Sequence, residues 1–146
     1  MKLGEFRNLL DRLVSMAKGM YSRGSLVPTL LAGIGERLLV VPFLVEDKES
    51  LRVAVREVME TFEHLGSKFM GFMGLCRVVD AQALGRWGGT VKGRGEGLVV
   101  WLKDRETDRF EIVLIPINPD GCFGEEVRSQ TAEGLLIPRR RPTGLV

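Results

Sequence analysis

Histidine and cysteine are scarce in this 146-residue chain, and their scarcity excludes several kinds of site. The single histidine, His64, rules out any zinc or iron centre that needs two or more imidazoles, including the His-Glu-x-x-His motif. The only cysteines, Cys76 and Cys122, do not form a Cys-x-x-Cys pair, so neither a metal clip nor a redox couple is expected. We therefore expect reduced cysteines, no metal and no cofactor.

Long apolar runs are also missing. The longest, from Leu38 to Val45, has eight residues and contains Pro42, whereas a membrane-spanning helix needs roughly twenty. The first residues lack the charged start, apolar middle and small-residue cleavage site of a secretory signal. The sequence thus predicts a soluble, cytoplasmic protein without a membrane partner.

Excess charge is small as well, since the formal net charge is only +2, too low for an obvious nucleic-acid or membrane binder. The charge is nevertheless uneven. Residues 104–133 hold eight acids and three bases, whereas the last nine residues hold Arg139, Arg140 and Arg141 and no acid. Fifteen of the 21 basic residues are arginine, and asparagine plus glutamine total four, a bias that fits either a GC-rich genome or a heat-adapted source.

The residues that are abundant predict alternating helices and strands. Apolar side chains recur at steps of three and four over Glu5–Met20 and again after Asp47, a residue suited to cap a helix. The segments 26–34 and 37–45 are strand-like and joined by a glycine-containing turn. Because Pro28 and Pro42 lack an amide hydrogen, at least one of these strands should lie at a sheet edge or end early.

Three further strands are predicted in the second half of the chain. Residues 69–79 are apolar on both alternating faces, which is typical of a central strand covered on both sides. Residues 98–103 and 109–117 are joined by a polar link that suits a hairpin, and Asp104, Asp108 and Glu111 are interpreted as surface charges of that hairpin.

These elements predict one α+β domain over residues 1–133 and a basic C-terminal tail over 134–146. Two amphipathic helices would pack as one layer on a mostly antiparallel sheet of about five strands, in the order α-β-β-α-β-β-β. This order of elements resembles that of profilin-like and roadblock-type modules, which serve as dimerising scaffolds, although no sequence motif is shared.

The segment from Gln82 to Gly97 is the one compositionally unusual stretch, with six glycines among its sixteen residues, and it is predicted to be a long mobile loop. It matches neither the dinucleotide-binding nor the P-loop glycine pattern, and a predicted strand follows it where a phosphate-binding loop requires a helix. Positive charge beside an aromatic ring is what single-stranded nucleic-acid binders use. The candidate residues for nucleic-acid or anion binding are Arg86, Trp87, Lys92, Arg94, Arg139, Arg140 and Arg141.

The sequence contains no convincing set of catalytic residues. A Cys76–His64 dyad lacks any identifiable third group to orient it, and His64 is explained by its place at the negative end of a predicted helix. Asp120 and Glu126 faintly resemble the Pro-Asp and Glu-x-Lys carboxylates of a Mg²⁺ nuclease, but the spacing is short and arginine replaces lysine.

Three hypotheses follow. The preferred one is a non-catalytic interaction or scaffold module, homodimeric through a sheet edge or the first helix. The alternative is nucleic-acid or anionic-ligand binding through the glycine- and arginine-rich loop 85–97 and the Arg139–Arg141 tail. The third is a metal-dependent hydrolase using Asp80, Asp120 or Glu126.

Overall fold

The computed structural model describes residues 1–78 and 95–130. Within them the chain forms two helices and six strands, in the order α1 (Leu3–Ser22), β1 (Thr29–Ile34), β2 (Arg37–Pro42), α2 (Lys48–His64), β3 (Phe69–Val78), β4 (Gly95–Asp104), β5 (Phe110–Ile117) and β6 (Val127–Ser129). The predicted α+β class and order are confirmed, with one strand more than expected. Neither helix in this part of the chain is long and apolar enough to cross a membrane. The expected boundary between residues 133 and 134 lies outside the described residues.

Both helices form where the apolar spacing predicts them. α1 buries Phe6, Leu10, Leu13, Val14 and Ala17 on a single side. α2 begins at a capped end, because the Asp47 carboxylate accepts hydrogen bonds from the Ser50 backbone nitrogen at 2.9 Å and from its hydroxyl at 2.8 Å. These two hydrogen bonds lower the pKa of Asp47. Each helix therefore presents one apolar side to the sheet.

The sheet is antiparallel throughout, in the strand order β2-β1-β3-β4-β5-β6. β3 lies between β1 and β4, which confirms the predicted central strand over residues 69–78; Val79 lies outside the described residues. β2 is at one edge and the three-residue β6 is at the other. The sequence signal missed β6 because three residues are too few to show an alternation.

The two helices cover opposite faces of the sheet, so the expectation of a single helical layer was wrong. The α1 face carries Leu31, Met73, Leu98, Val100 and Leu102. The α2 face carries the alternate residues of the same strands, including Leu30, Ala32 and Met70. The cause is visible in β3, where Phe69 and Met73 belong to one apolar cluster and Met70 and Phe72 to the other, so a single helical layer would leave one apolar face bare.

Asp104, at the end of β4, is another departure from the sequence reading, since it is 1% exposed and is not a surface charge. Its carboxylate accepts a hydrogen bond from the Thr107 hydroxyl at 2.7 Å and lies 3.2 Å from the amino group of Met1. Burial opposes ionisation, but these partners outweigh it and hold the pKa of Asp104 below its ordinary value. Asp104 thereby closes the β4–β5 hairpin and ties it to the start of α1.

Candidate interaction surface

The most unusual surface of the described chain is the edge strand β2. Apolar side chains are exposed along it and along the connection that follows, with Leu38 48%, Leu39 36%, Val40 51%, Leu44 81% and Val45 38% accessible. Leu38 and Val40 project from the α1 face, since Val40 pairs with Leu31, while Leu39 projects from the α2 face. β2 is thus a sheet edge that is apolar on both faces, with Arg37 at its start and Pro42 at its end.

The hydrogen-bond pattern shows which backbone groups of β2 point outward. Antiparallel partners alternate between pairs that exchange two backbone hydrogen bonds and pairs that exchange none. Phe43 donates its amide to the Pro28 carbonyl at 2.8 Å, and this pair continues the β1–β2 register. Bonded pairs therefore recur every second residue, at Val41 and Leu39 of β2.

The intervening residues of β2, Leu38, Val40 and Pro42, consequently direct their backbone groups away from β1. Gly33, which lies opposite Leu38, supports this assignment because its carbonyl accepts from the Lys68 amide of the β3 side at 2.7 Å. Pro42 falls at an outward position, so its missing amide hydrogen removes no bond to β1. The proline signal in the sequence therefore correctly indicated an edge strand.

The opposite edge is built differently. β6 has only three residues, and Arg128 at its centre pairs with Asp11 at 2.8 Å and with Glu126 at 3.1 Å. Lys18 of α1 reaches Glu126 as well, at 3.4 Å. A short, charged edge that is held to a helix is the usual protection against strand addition. β2 is twice as long, its only charged residue is Arg37 at its start, and no ion pair of the described residues ties it to a helix.

The solvent side of α1 offers no comparable surface. Its exposed large apolar side chains are Leu3 and Met16, thirteen positions apart. Exposed polar residues, including Arg7, Asp11 and Arg12, occupy the side of the helix between them. Of the two contact surfaces anticipated from the sequence, the structure therefore favours the sheet edge over the first helix.

The residues proposed for nucleic-acid or anion binding, Arg86, Trp87, Lys92, Arg94, Arg139, Arg140 and Arg141, all lie outside the described residues. The points where the chain leaves the described part are known. Val78 and Gly95 pair at one end of the central strands, whereas Ser129 pairs with Ile112, which is itself level with Trp101. These exits are about 20 Å apart along the strand direction, at roughly 3.4 Å per residue.

Cys76 and His64 are not brought together. His64 ends α2, close in sequence to the start of β3, while Cys76 lies seven residues along that strand from Phe69. Seven residues of strand span about 23 Å. Burial also raises the pKa of the Cys76 thiol to about 11, which keeps it protonated and poorly nucleophilic near neutral pH.

The carboxylates considered for metal binding have other partners. Glu126 is paired with Lys18 and Arg128, and Asp120 accepts a hydrogen bond from the Cys122 amide at 2.9 Å. Asp80 lies outside the described residues. Over residues 1–78 and 95–130 no cluster of three or more acidic, histidine or cysteine side chains is placed to hold a metal ion.

Two concave sites in the described part of the chain are small or shallow. One pocket of about 100 Å³ lies between the end of α2 and the β4–β5 hairpin, well below the roughly 300–1,000 Å³ of typical small-molecule sites. The buried Ser67 hydroxyl lines it. Two basic side chains, Lys103 and Arg105, and two acidic ones, Glu63 and Asp108, line it as well, so the pocket has no excess of either charge. A second, more open groove of about 360 Å³ follows α2 and is lined by Arg52, Val55, Arg56, Met59, Glu60 and Glu63.

No protein-family model matches the chain, no curated protein matches its sequence, and no solved structure matches its fold. The similarity to profilin-like and roadblock-type modules therefore stays an analogy in the order of elements. Function has to be inferred from the surface of this chain itself.

Proposed function

We propose that this protein is a non-catalytic interaction module that self-associates through the free edge of β2. The observation that carries the proposal is an edge strand with outward backbone groups and exposed apolar side chains on both faces. Native proteins normally protect such an edge, because unpaired backbone groups beside apolar side chains are a template for strand pairing. An edge left in this state is therefore best explained by a partner strand.

A second copy of the chain is the partner that β2 fits best. A twofold interface uses the same patch on both subunits and must therefore be complementary to itself. The apolar centre of β2 meets this condition, since no charged residue lies between Arg37 and Pro42. Two like surfaces can then meet without opposing like charges.

The size of the surface predicts a reversible dimer. Five exposed aliphatic side chains with one strand of backbone offer roughly 500 Å² per chain, or about 1,000 Å² for a symmetric pair, near the lower limit for specific interfaces. An interface of this size is typical of transient association, so we expect a dimer that dissociates on dilution.

Sedimentation velocity over a concentration series tests the proposal with two matched variants. Val40→Lys places a charge on the free edge of β2, whereas Val127→Lys changes a valine of similar exposure, 45%, on the opposite edge. We expect the wild-type protein and the Val127→Lys variant to dimerise and the Val40→Lys variant to stay monomeric. Circular dichroism would verify that both variants are folded.

A wild-type protein that stays strictly monomeric at high micromolar concentration would contradict the proposal. So would a Val40→Lys variant that is folded and dimerises as well as the wild type. Loss of association in both variants would place the contact elsewhere and would equally exclude the β2 edge as its specific site.

A further inference from the structure

We infer that the two copies pair their β2 strands antiparallel about a twofold axis at Leu39, which joins two six-stranded sheets into one continuous sheet. This inference rests on the proposed self-association and adds its register. It follows from the direction of backbone groups in β2, from the position of Pro42 and from the alternation of side chains.

The axis must relate residues that lie on the same face. An antiparallel pair of edge strands is related by a twofold axis perpendicular to the sheet, so each residue lies opposite a residue whose side chain is on the same face. The axis must therefore pass beside one residue, which lies opposite its own copy. The possible centres near the middle of β2 are Leu38, Leu39 and Val40.

Backbone pairing favours Leu39 as the centre. In that register Leu38 lies opposite Val40 of the second copy, and these are the two residues whose amide and carbonyl groups both point outward. Each such pair exchanges two hydrogen bonds, so the symmetric contact gains four and leaves no donor or acceptor of these residues unpaired.

A twofold axis at Val40 gives less favourable backbone hydrogen bonding, because it sets Leu38 opposite Pro42 of the second copy. The Leu38 carbonyl would then face a residue without an amide hydrogen, and a buried carbonyl without a donor costs free energy. A centre at Leu38 sets Val40 opposite Glu36, which belongs to the β1–β2 turn and is not part of the strand.

The side chains agree with the centre at Leu39. On the α1 face the register joins Leu38 and Val40 of both copies into one apolar group, which extends the α1 cluster beyond Leu31. On the α2 face the two Leu39 side chains meet at the axis. Arg37 lies opposite Val41, so the two guanidinium groups are kept apart at opposite ends of the contact.

Disulfide trapping distinguishes these registers. The exposed Cys122 is first replaced by serine, while the half-buried Cys76 is retained. In this background Leu39→Cys and Val40→Cys are compared. Facing residues of a non-bonded pair have α-carbons about 4.5 Å apart, within the range that a disulfide bridges, whereas the two Val40 positions are diagonal neighbours about 7–8 Å apart.

The expected result is that, under mild oxidation, the Leu39→Cys variant forms the covalent dimer at least about tenfold faster than the Val40→Cys variant, because only its thiols face each other. The oxidation consumes a thiol-specific oxidant such as oxidised glutathione, which accepts the two electrons released with the two thiol protons. Non-reducing electrophoresis and mass spectrometry would measure the covalent dimer.

Faster or equal trapping of the Val40→Cys variant would overturn the register. Sedimentation of the same two variants under reducing conditions separates this outcome from a failure of the proposed function. If both reduced variants dimerise, a reversed trapping order contradicts only the centre at Leu39. If the wild type and both reduced variants are monomeric, the self-association itself is wrong.

Discussion

Substitution of Gly71 tests the close packing of α1 on the central strand β3. A β-carbon added there would lie 3.0 Å from Cδ1 of Leu13 and 3.3 Å from the backbone oxygen of Trp101. The Trp101 oxygen belongs to the β4 backbone and has little freedom to move. We therefore expect Gly71→Ala to lower the free energy of unfolding by about 1–3 kcal/mol, the usual cost of overpacking.

Gly4→Ala is the matched control for this substitution. A β-carbon at Gly4 meets no atom within 4 Å, and the residue lies in the first turn of α1. Since alanine is favoured over glycine in helices, this variant should be as stable as the wild type or more stable by up to about 1 kcal/mol. Urea denaturation would measure both variants, and a Gly71→Ala protein no less stable than the wild type would contradict the packing described here.

Single residues also show where a sequence is informative. Pro28 and Pro42 predicted that at least one of the first two strands lies at a sheet edge or ends early, and β2 is an edge strand. The missing amide hydrogen of proline is a covalent property that needs no tertiary information. Asp104 was misread as a surface charge because its burial depends on Met1, which is more than a hundred residues away in sequence. Nothing local to the hairpin encodes that contact.

The backbone directions in β2 predict an alternating pattern of amide hydrogen exchange along the strand. Amides of Leu39 and Val41 point to β1, whereas those of Leu38 and Val40 point to the edge that no other described strand covers. In dilute solution we therefore expect slow hydrogen exchange at the first pair and fast exchange at the second. Nuclear magnetic resonance on ¹⁵N-labelled protein would resolve the individual residues.

Raising the protein concentration extends this test. Strand pairing between two copies would protect Leu38 and Val40 and leave Leu39 and Val41 as slow as before. Uniform protection of all four amides in dilute solution would contradict the assignment of β2 as an unpaired edge. Unchanged fast exchange at Leu38 and Val40 in a solution known to contain dimer would place the contact on another surface.

Elements were easier to predict from the sequence than their arrangement. The helices and five of the strands follow from local periodicity and turn residues, so their order was accessible, including the central place of residues 69–79. The distribution of the helices over both faces was not, because it depends on how the chain crosses the sheet between β2 and β3. The exposed edge was predictable only in outline, since exposure of Leu38 and Val40 follows from strand order and not from their own residue types.

At the scale of the whole molecule, the response to salt separates the two ways in which this chain could bind a partner. Contact through β2 removes apolar surface from water and brings no opposite charges together, so raising sodium chloride should leave the dimer unchanged or slightly stronger. Binding of a nucleic acid through Arg86, Arg94 and the Arg139–Arg141 run would instead weaken steeply with salt, because each phosphate contact releases counterions.

Sedimentation velocity across a salt series measures the first response, and retention on single-stranded DNA and RNA measures the second. We expect a salt-insensitive dimer, with the same sedimentation in a variant whose five arginines at those positions are replaced by serine. Equal retention of the wild type and that variant on nucleic acid would remove the binding role of the arginines. Dissociation of the dimer by salt would mean that charge pairs hold the two copies together, and because the centre of β2 carries no charge, the contact would then have to lie on a different part of the surface.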